Sequence, residues 1–520
     1  MTKDSIHFRA SSTAPVDLGN GLVMRWSTKD DTDNICSLVG ASFKWMTFPG
    51  PVSEGVFPGP NELLIASVRR LMSGKNASMS EYDHAVVEDT QRRKQPGHEN
   101  ANPIVACAGL HRARAFYGCV PLFFGKPELI ATDVEYRGQG LVRRLMMEMI
   151  HPESDARGDA LLFIAGLPNF YRQYGYEYAI SRFNPGKIAN VDKFPGVGKD
   201  QQEPYRLRRA TQEDLPFLLK MSAKERVDPH TEMGLAYGPE YWQYTVCDNT
   251  PENAMDKRFD GDRDTQVVVD SATGEDVGFT IVSHIKGLKL EALSLMNEKV
   301  FIGEAIYPIV RALIANEKKL QERRKAEELD PVAAEKIQTS GYPFVINLPL
   351  THPARQNLAP VLEAPDTAPG YRLYARIPDY AKLIKQVQPE LERRLAQSPM
   401  AGITGRLQLD FYRVVEGSNA KGLEIVFQKG HIVEVQHWVM PSHEKQLELF
   451  LKNQKEGLPK TRIFAAAFAP LTFTTLITGD RSLEELQLSY GENTCADEST
   501  RMLLNSLFPK VLHHMDTSFM

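Results

Sequence analysis

Residues 129–150, LIATDVEYRGQGLVRRLMMEMI, and residues 161–178, LLFIAGLPNFYRQYGYEY, decide how the first part of this chain folds. The first run opens as a strand and passes through Arg137-Gly138-Gln139-Gly140 into a helix with one apolar face. The second is a short apolar run, a buried strand, followed by an aromatic-rich helix start. In that order, the N-terminus of a helix meets the end of a strand. Its open N–H groups and dipole favour an anion. Two glycines let the backbone approach that anion closely, and Arg137, Arg143 and Arg144 add charge. A GxG turn alone is a weak signal, since a tight turn with arginines on a wet face has the same composition. Phe170, Tyr171, Tyr174 and Tyr176 are equally compatible with core packing. The pairing of the two runs is what points to chemistry.

Working outward, GLVMRWS (21–27) alternates like a strand, and helical spacing follows from Asp30 to Phe43, with Asp30, Asp31 and Thr32 as caps. NELLIASVRRLMS (61–73) reads as a helix. HAVVEDT (84–90) and IVACAGLHRARAFYG (104–118) read as a hairpin. A Pro/Gly-rich stretch at 183–204 reads as a linker. The outline then restarts: YRLRRATQEDLPFLLKMS (205–222) is again a strand, a Thr/Asp cap and an apolar-periodic helix. A hairpin around Thr273-Gly274, a strand at 287–296, a long charged helix from Ala305 and a strand at 342–350 complete a duplicated unit. A second break falls at EAPDTAPG (363–370). Beyond it come an amphipathic helix (380–395), three strands in antiparallel meander style (405–415, 422–430, 431–438) and two terminal helices.

Length and composition set the bounds. At 520 residues the chain is expected to hold about two to four domains. A net charge of −5 gives no support to nucleic-acid binding. Five scattered cysteines without a CxxC pair support neither a zinc ribbon nor a disulfide framework, and imply a reducing, cytoplasmic setting with no metal. The start, MTKDSIHFRASS, has no apolar signal region. IFAAAFAPLTFTTLI (463–477) is too short to cross a bilayer and reads as a buried strand or helix pair.

RGQGLV after one strand and FYRQYGYEYA after the next resemble the GNAT superfamily of acetyl-CoA-dependent acetyltransferases. In its pyrophosphate motif, R/Q-x-x-G-x-G/A, Arg137 and Gly140 match and Val142 departs from the usual small residue. The Y-x-x-x-G-Y run resembles the family's helix beside the pantetheine arm. The whole layout is similar to the enhanced-intracellular-survival type. That type has two GNAT-like units, the second without RxxGxG, and a sterol-carrier-like third domain. YRLYARIPDYAKLI (371–384) is similar to the opening of that third domain. TFTTLITGDRSLEELQ (472–487) and STRMLLNSLFP (499–509) are similar to its closing segments. The fold class expected is therefore α+β and α/β: two tandem mixed-sheet GNAT-like domains at 1–195 and 196–365, then an α+β sterol-carrier-like domain at 366–520.

The resemblance implies specific roles. Ile130, Ala131 and Thr132 would pair with the pantetheine arm of acetyl-CoA. Gly138, Gln139, Gly140, Leu141, Val142 and Arg143, with Arg137, would wrap the pyrophosphate, and Gly166 and Leu167 would sit at the splayed end of the next strand. Tyr171 matches the general acid that protonates the leaving thiolate. The base would be the α-carboxylate of Met520; His513 and His514 are a second candidate. The expected reaction is acetyl transfer to a primary amine in a ternary complex, with no cysteine in the motif region. A protein lysine acetyltransferase is one alternative, a non-catalytic acyl-CoA or lipid-binding protein another. The family also suggests an oligomeric assembly. In the second unit, LSLMNEKVFIGEAIYPIV (293–310) has one glycine, no arginine, and Glu298 and Glu304 to repel phosphate. That unit is expected to be structural.

Overall fold

The computed structural model describes residues 14–43, 59–181, 185–198, 201–225, 232–250, 263–284, 287–326, 343–363, 372–412, 421–442, 444–445 and 462–515. They form three mixed or antiparallel sheets with helices packed on their faces.

The first sheet is built on a long hairpin. β1 (Val16–Gly19), β2 (Leu22–Trp26) and β3 (His84–Asp89) lead to β4 (Ile104–Tyr117), which pairs antiparallel with β5 (Val120–Thr132) along nearly its full length. The stretch that opens the sequence reading begins at Leu129, whereas β5 starts nine residues earlier and contains Pro121 and Pro127. Both prolines fall at the same parity of β5, where a missing N–H points away from β4 and costs no ladder bond. β6 (Leu161–Ile164) runs parallel to β5. α1 (Thr32–Ser42) and α2 (Glu62–Leu71) cover one face. The other face carries α3 (Leu141–Arg144), which continues through a π-helical stretch (Leu145–Ile150) into α4 (His151–Arg157). β7 (Glu177–Ser181) follows a short 3-10 turn (Phe170–Tyr174).

The second sheet repeats this plan with β8 (Gly186–Ile188), β9 (Tyr205–Arg209), β11 (Arg263–Asp270), β12 (Asp276–Ser283), β13 (Lys289–Leu295) and β14 (Phe344–Ile346), in the order β8-β14-β13-β12-β11-β9. The duplication extends to a local device. Arg25 grips Asp31 with both guanidinium nitrogens at 2.8 Å, and Asp31 closes a capping box with Thr28. Arg208, Thr211 and Asp214 do the same at the same spacing, before α5 (Leu215–Glu225). Each box satisfies open N–H groups at a helix start. α6 (Pro239–Gln243), α7 (Ile302–Ala326) and α8 (Pro353–Leu358) complete the unit.

The third sheet has the order β18-β17-β16-β19-β20. β16 (Gly405–Phe411), β17 (Gly422–Gln428) and β18 (His431–His437) form the antiparallel meander, and β19 (Ile463–Phe468) joins β16 in parallel. The apolar run at 463–477 is both things at once: β19, then α10 (Thr472–Ile477). α9 (Tyr380–Ala396), α11 (Leu483–Ser489), β20 (Thr494–Cys495) and α12 (Glu498–Leu507) pack around it.

Four strands cross the expected spans. β8, from 1–195, sits in the second sheet against β14. β15 (Arg372–Arg376), from 366–520, lies in the first sheet between β6 and β7, antiparallel to both. β10 (Met233–Leu235) pairs with the end of β4, and β21 (His513–His514) pairs with β10. The spans are contiguous in sequence but share sheets. A sheet position accepts any strand of the right length and face, whichever part of the chain supplies it.

Candidate functional site

The site begins where two parallel strands part. β5 and β6 are paired only at Phe124–Leu161 and Gly125–Leu162. Beyond that level β6 pairs with β15, while β5 continues to Thr132 with β4 as its only strand partner among the described residues. The result is a V between the strands, with unpaired β5 backbone along one arm. Leu129 has φ of +53°, and the β4–β5 register shifts between Cys107 and Gly109, so β5 carries a bulge at this level. Bulges re-aim backbone groups next to functional sites. Ile130 and Thr132 are half-buried along the arm and Ala131 is buried. Thr132 Oγ1 is buried with no hydrogen-bond partner among the described residues, so a polar ligand group fits there.

At the end of that arm lies the glycine turn. Gly138 and Gly140 have φ of +78° and +75°, conformations that non-glycine residues adopt at a cost. A Cβ at either would meet nothing within 4 Å. The backbone sign, not crowding, therefore requires glycine, and the space above the turn is open. Gly140 is the N-cap of α3, and the helical rod behind it runs on through α4. Arg137 is exposed and its Nε approaches Thr132 O at 3.4 Å. Arg143 lies 6.0 Å over the Tyr174 ring. Arg144 points elsewhere, in an ion pair with Glu148 at 2.7 Å. Leu141 is buried and anchors the helix start; Val142 packs against the same core. Gln139 Nε2 approaches Glu135 O at 3.4 Å.

The opposite arm follows β6. A Cβ on Gly166 would fall 2.1 Å from Tyr171 Cε2, so glycine is needed for the ring to come this close to the backbone. Tyr171 is 6% exposed, its ring packed among Phe170, Tyr174, Tyr176 and Tyr374 at centroid distances of 5.1–6.4 Å. Leu167 is exposed, and its carbonyl accepts from Tyr374 O–H at 3.0 Å.

On the face covered by the 76–83 loop, the register places Glu128 beside Gly109 and Lys126 beside His111. Burial pushes the Glu128 carboxyl up, but Lys126 at 2.6 Å and His111 at 3.2 Å outweigh it and bring it down to about 2. His111 Nδ1 meets Ser78 Oγ at 2.9 Å, and Ser78 is held by Asn76. Burial lowers the neighbouring His84 to about 4. The loop is tied down through Asp83, which pairs with Arg157 of α4 at 2.6 Å. Sequence reasoning missed these groups, because only the β3–β4–β5 register brings them together.

Met520 lies outside the described residues, as does the side chain of His514. His513 is buried rather than exposed. Its Nδ1 accepts from Ser181 N–H at 3.3 Å and its Nε2 donates to Thr478 O at 2.8 Å. Burial lowers it to about 4. A neutral ring with both nitrogens engaged latches β21 to β7 and is not placed as a base. Cys107 lies on β4 beside the V, but burial pushes its thiol up to about 12, which removes the thiolate a covalent mechanism needs. Among the described residues there is no metal-ligand cluster and no helix long and apolar enough to cross a membrane.

The corresponding place in the second unit is filled. β13 and β14 pair at Lys289–Val345 and Leu290–Ile346. Just beyond, Asn347 bridges to Glu291 at 2.5 Å and the His352 ring donates to Leu293 O at 3.2 Å. Side chains occupy the edge that stays open in the first unit.

Residues 52–179 match the family model of the acetyltransferase (GNAT) domain, so the chain carries a GNAT domain around this V. The fold is also that of several solved structures. A GCN5-related N-acetyltransferase from Kribbella flavida is 14% identical, with a TM-score of 0.55, covering 95% of this chain and 97% of that one. One from Anabaena variabilis ATCC 29413 is 12% identical, with a TM-score of 0.55 and coverage of 95% and 99%. Eis1 from Mycobacterium abscessus is 11% identical, with a TM-score of 0.51 and coverage of 95% and 99%. A search of curated proteins found no significant match.

Proposed function

We propose that this chain is an N-acetyltransferase that moves acetyl from acetyl-CoA to a primary amine by direct transfer in a ternary complex. One observation carries the reading: the open V between β5 and β6 ends at a turn with two positive-φ glycines that caps a long helical rod. A GNAT domain works with an acyl-CoA. An extended arm with a pyrophosphate at one end matches the two parts of this cleft.

In this reading, Gly138 to Arg143 hold the pyrophosphate with backbone N–H groups. Ile130 to Thr132 pair with the pantetheine arm, and Gly166 and Leu167 bound it from the other side. The thioester then lies toward the apex, near Glu128 and Leu129. Four residues of strand separate Thr132 from Glu128, about 13 Å. The amine attacks the thioester carbonyl, the carbon–sulfur bond breaks, and Tyr171 protonates the departing thiolate. The base is the α-carboxylate of Met520. His513 supports that assignment: it fixes the chain beside Ser181, which pairs with Arg372 of β15, the strand next to β6. That position is about 10 Å from β6, two strand spacings away. Five residues beyond Met515 reach at most about 18 Å. The domains at 1–195, 196–365 and 366–520, the sterol-carrier-like character of the last, a cytoplasmic setting and an oligomeric assembly belong to the same reading.

The test is release of free CoA from acetyl-CoA across a panel of primary amines and lysine peptides. Turnover on small amines supports the proposal. CoA binding without turnover on any acceptor leaves a binding module instead.

A further inference from the structure

The strand that the third span lends to the first sheet is anchored in a regular way. On β15 the alternate residues Arg372, Tyr374 and Arg376 share one face. Each is bonded to the first unit. Arg372 Nη2 donates to Tyr178 O at 3.2 Å and pairs with Asp480. Arg376 pairs with Asp155 of α4 at 3.0 Å. Tyr374, fully buried, sits between them with its hydroxyl at Leu167 O. A one-residue slip of β15 would turn all three side chains to the other face.

The hydroxyls form a connected group. Asn169 N–H donates to Tyr178 OH at 3.2 Å. The Tyr178 and Tyr374 oxygens are 2.6 Å apart, and Tyr374 is 3.0 Å from Leu167 O. Each phenol has one proton. Tyr374 therefore has one proton for two acceptors, the Tyr178 hydroxyl and Leu167 O. The rings stack at 4.0 Å, and the Tyr374 ring meets Tyr171 edge-on at 5.6 Å. Leu167 O also accepts from Phe170 N–H at 3.2 Å.

We infer that Tyr374 is a positioning residue of the acyl-CoA site. Its hydroxyl, within hydrogen-bond distance of Leu167 O, holds the backbone that bounds the acyl-CoA arm at the splayed end of β6. It also fixes the ring of Tyr171. The inference rests on the acyl-CoA reading above. It makes the third span a working part of the first unit's cleft, through one strand and one hydroxyl.

The experiment compares the full-length wild type with Tyr374→Phe and Tyr178→Phe. Tyr374→Phe keeps the ring stack and removes only the hydroxyl. The readouts are CoA affinity by calorimetry, KM for acetyl-CoA and for the amine separately, kcat, and thermal melting. Tyr374→Phe is expected to weaken CoA binding and raise KM for acetyl-CoA about five- to tenfold, the usual size of one buried hydrogen bond. KM for the amine should stay within about twofold. Tyr178→Phe, one link back, should move the same two quantities by a smaller factor. A purely structural role would lower melting temperature and kcat while leaving CoA affinity and KM for acetyl-CoA unchanged, and that pattern overturns the inference. So does a Tyr374→Phe variant that binds CoA as the wild type does. A wild type that binds CoA but acetylates nothing refutes the transferase reading, while the affinity comparison still decides Tyr374. A wild type that binds no CoA refutes both.

Discussion

Replacing Gly166 by alanine tests the placement of Tyr171 without touching its hydroxyl. Gly166 does not have a left-handed φ, so alanine is permitted by the backbone and the effect is steric. The new Cβ would fall 2.1 Å from Tyr171 Cε2 and 3.0 Å from Cδ2. Non-bonded carbons rest at about 3.5–4.0 Å, so the ring must retreat by about 1.5 Å. It has little room, with Phe170, Tyr174, Tyr176 and Tyr374 around it. Overpacking of this kind costs about 1–3 kcal/mol. A displacement of that size at a reacting group costs on the order of 10²-fold in rate. Gly166→Ala is therefore expected to lower kcat for CoA release about a hundredfold and to lower the melting temperature. Adding Tyr171→Phe should cost much less in the double variant than alone, because both changes act through one phenol. If Gly166→Ala keeps wild-type kcat, or if the two effects multiply, the position of Tyr171 does not govern the reaction.

Three further outcomes follow from the same geometry. Gly140→Ala should raise KM for acetyl-CoA through backbone strain of about 1–2 kcal/mol, and Gly140→Asn should raise it less, because asparagine tolerates the left-handed region; equal effects would mean that crowding decides. Calorimetry should find one CoA per chain, since Asn347 and His352 close the second cleft; two equivalents would refute that closure. Stability should fall with acid in two steps. His84 and His513 have folded values near 4, below the ordinary range. The unfolded chain therefore binds their protons first, and stability present above about pH 6.5 is lost down to about pH 4. Each contributes at most roughly 3 kcal/mol, and His513→Gln should remove part of this loss in urea midpoints measured from pH 7.5 to 4.5. Glu128, held at about 2, is stabilising above the carboxylate range, and that share goes as pH falls through it. Glu128→Gln should flatten only this lower step.

Much of this protein is legible from local chemistry alone. The glycine turn, the helix behind it, the flanking strands and the repeat of the Thr–Asp cap are short-range features. Each depends on residues within one turn or one strand of each other, and hydrophobic period and backbone sign report them directly. The same is true of β19 and α10, where the apolar run leaves open only the split between strand and helix.

Other features are invisible at short range because partners far apart in sequence make them. β5 hides its first half behind Pro121 and Pro127, and only the pairing with β4 shows that those prolines cost nothing. Glu128, His111 and Ser78 come together only through register. His513, a candidate base from its residue type, is instead a buried latch on β7.

Residues 129–143 carry the strand, the glycines and the helix start in one continuous run, so local chemistry alone fixes that arm of the cleft. Tertiary structure alone decided the other wall of the cleft. Tyr374 reaches Leu167 across 207 positions of chain, on a strand that sequence continuity assigns to another unit. A strand's apolar pattern says that it will be buried. It does not say in which sheet, because the pairing energy depends on the neighbouring edge and not on the distance along the chain.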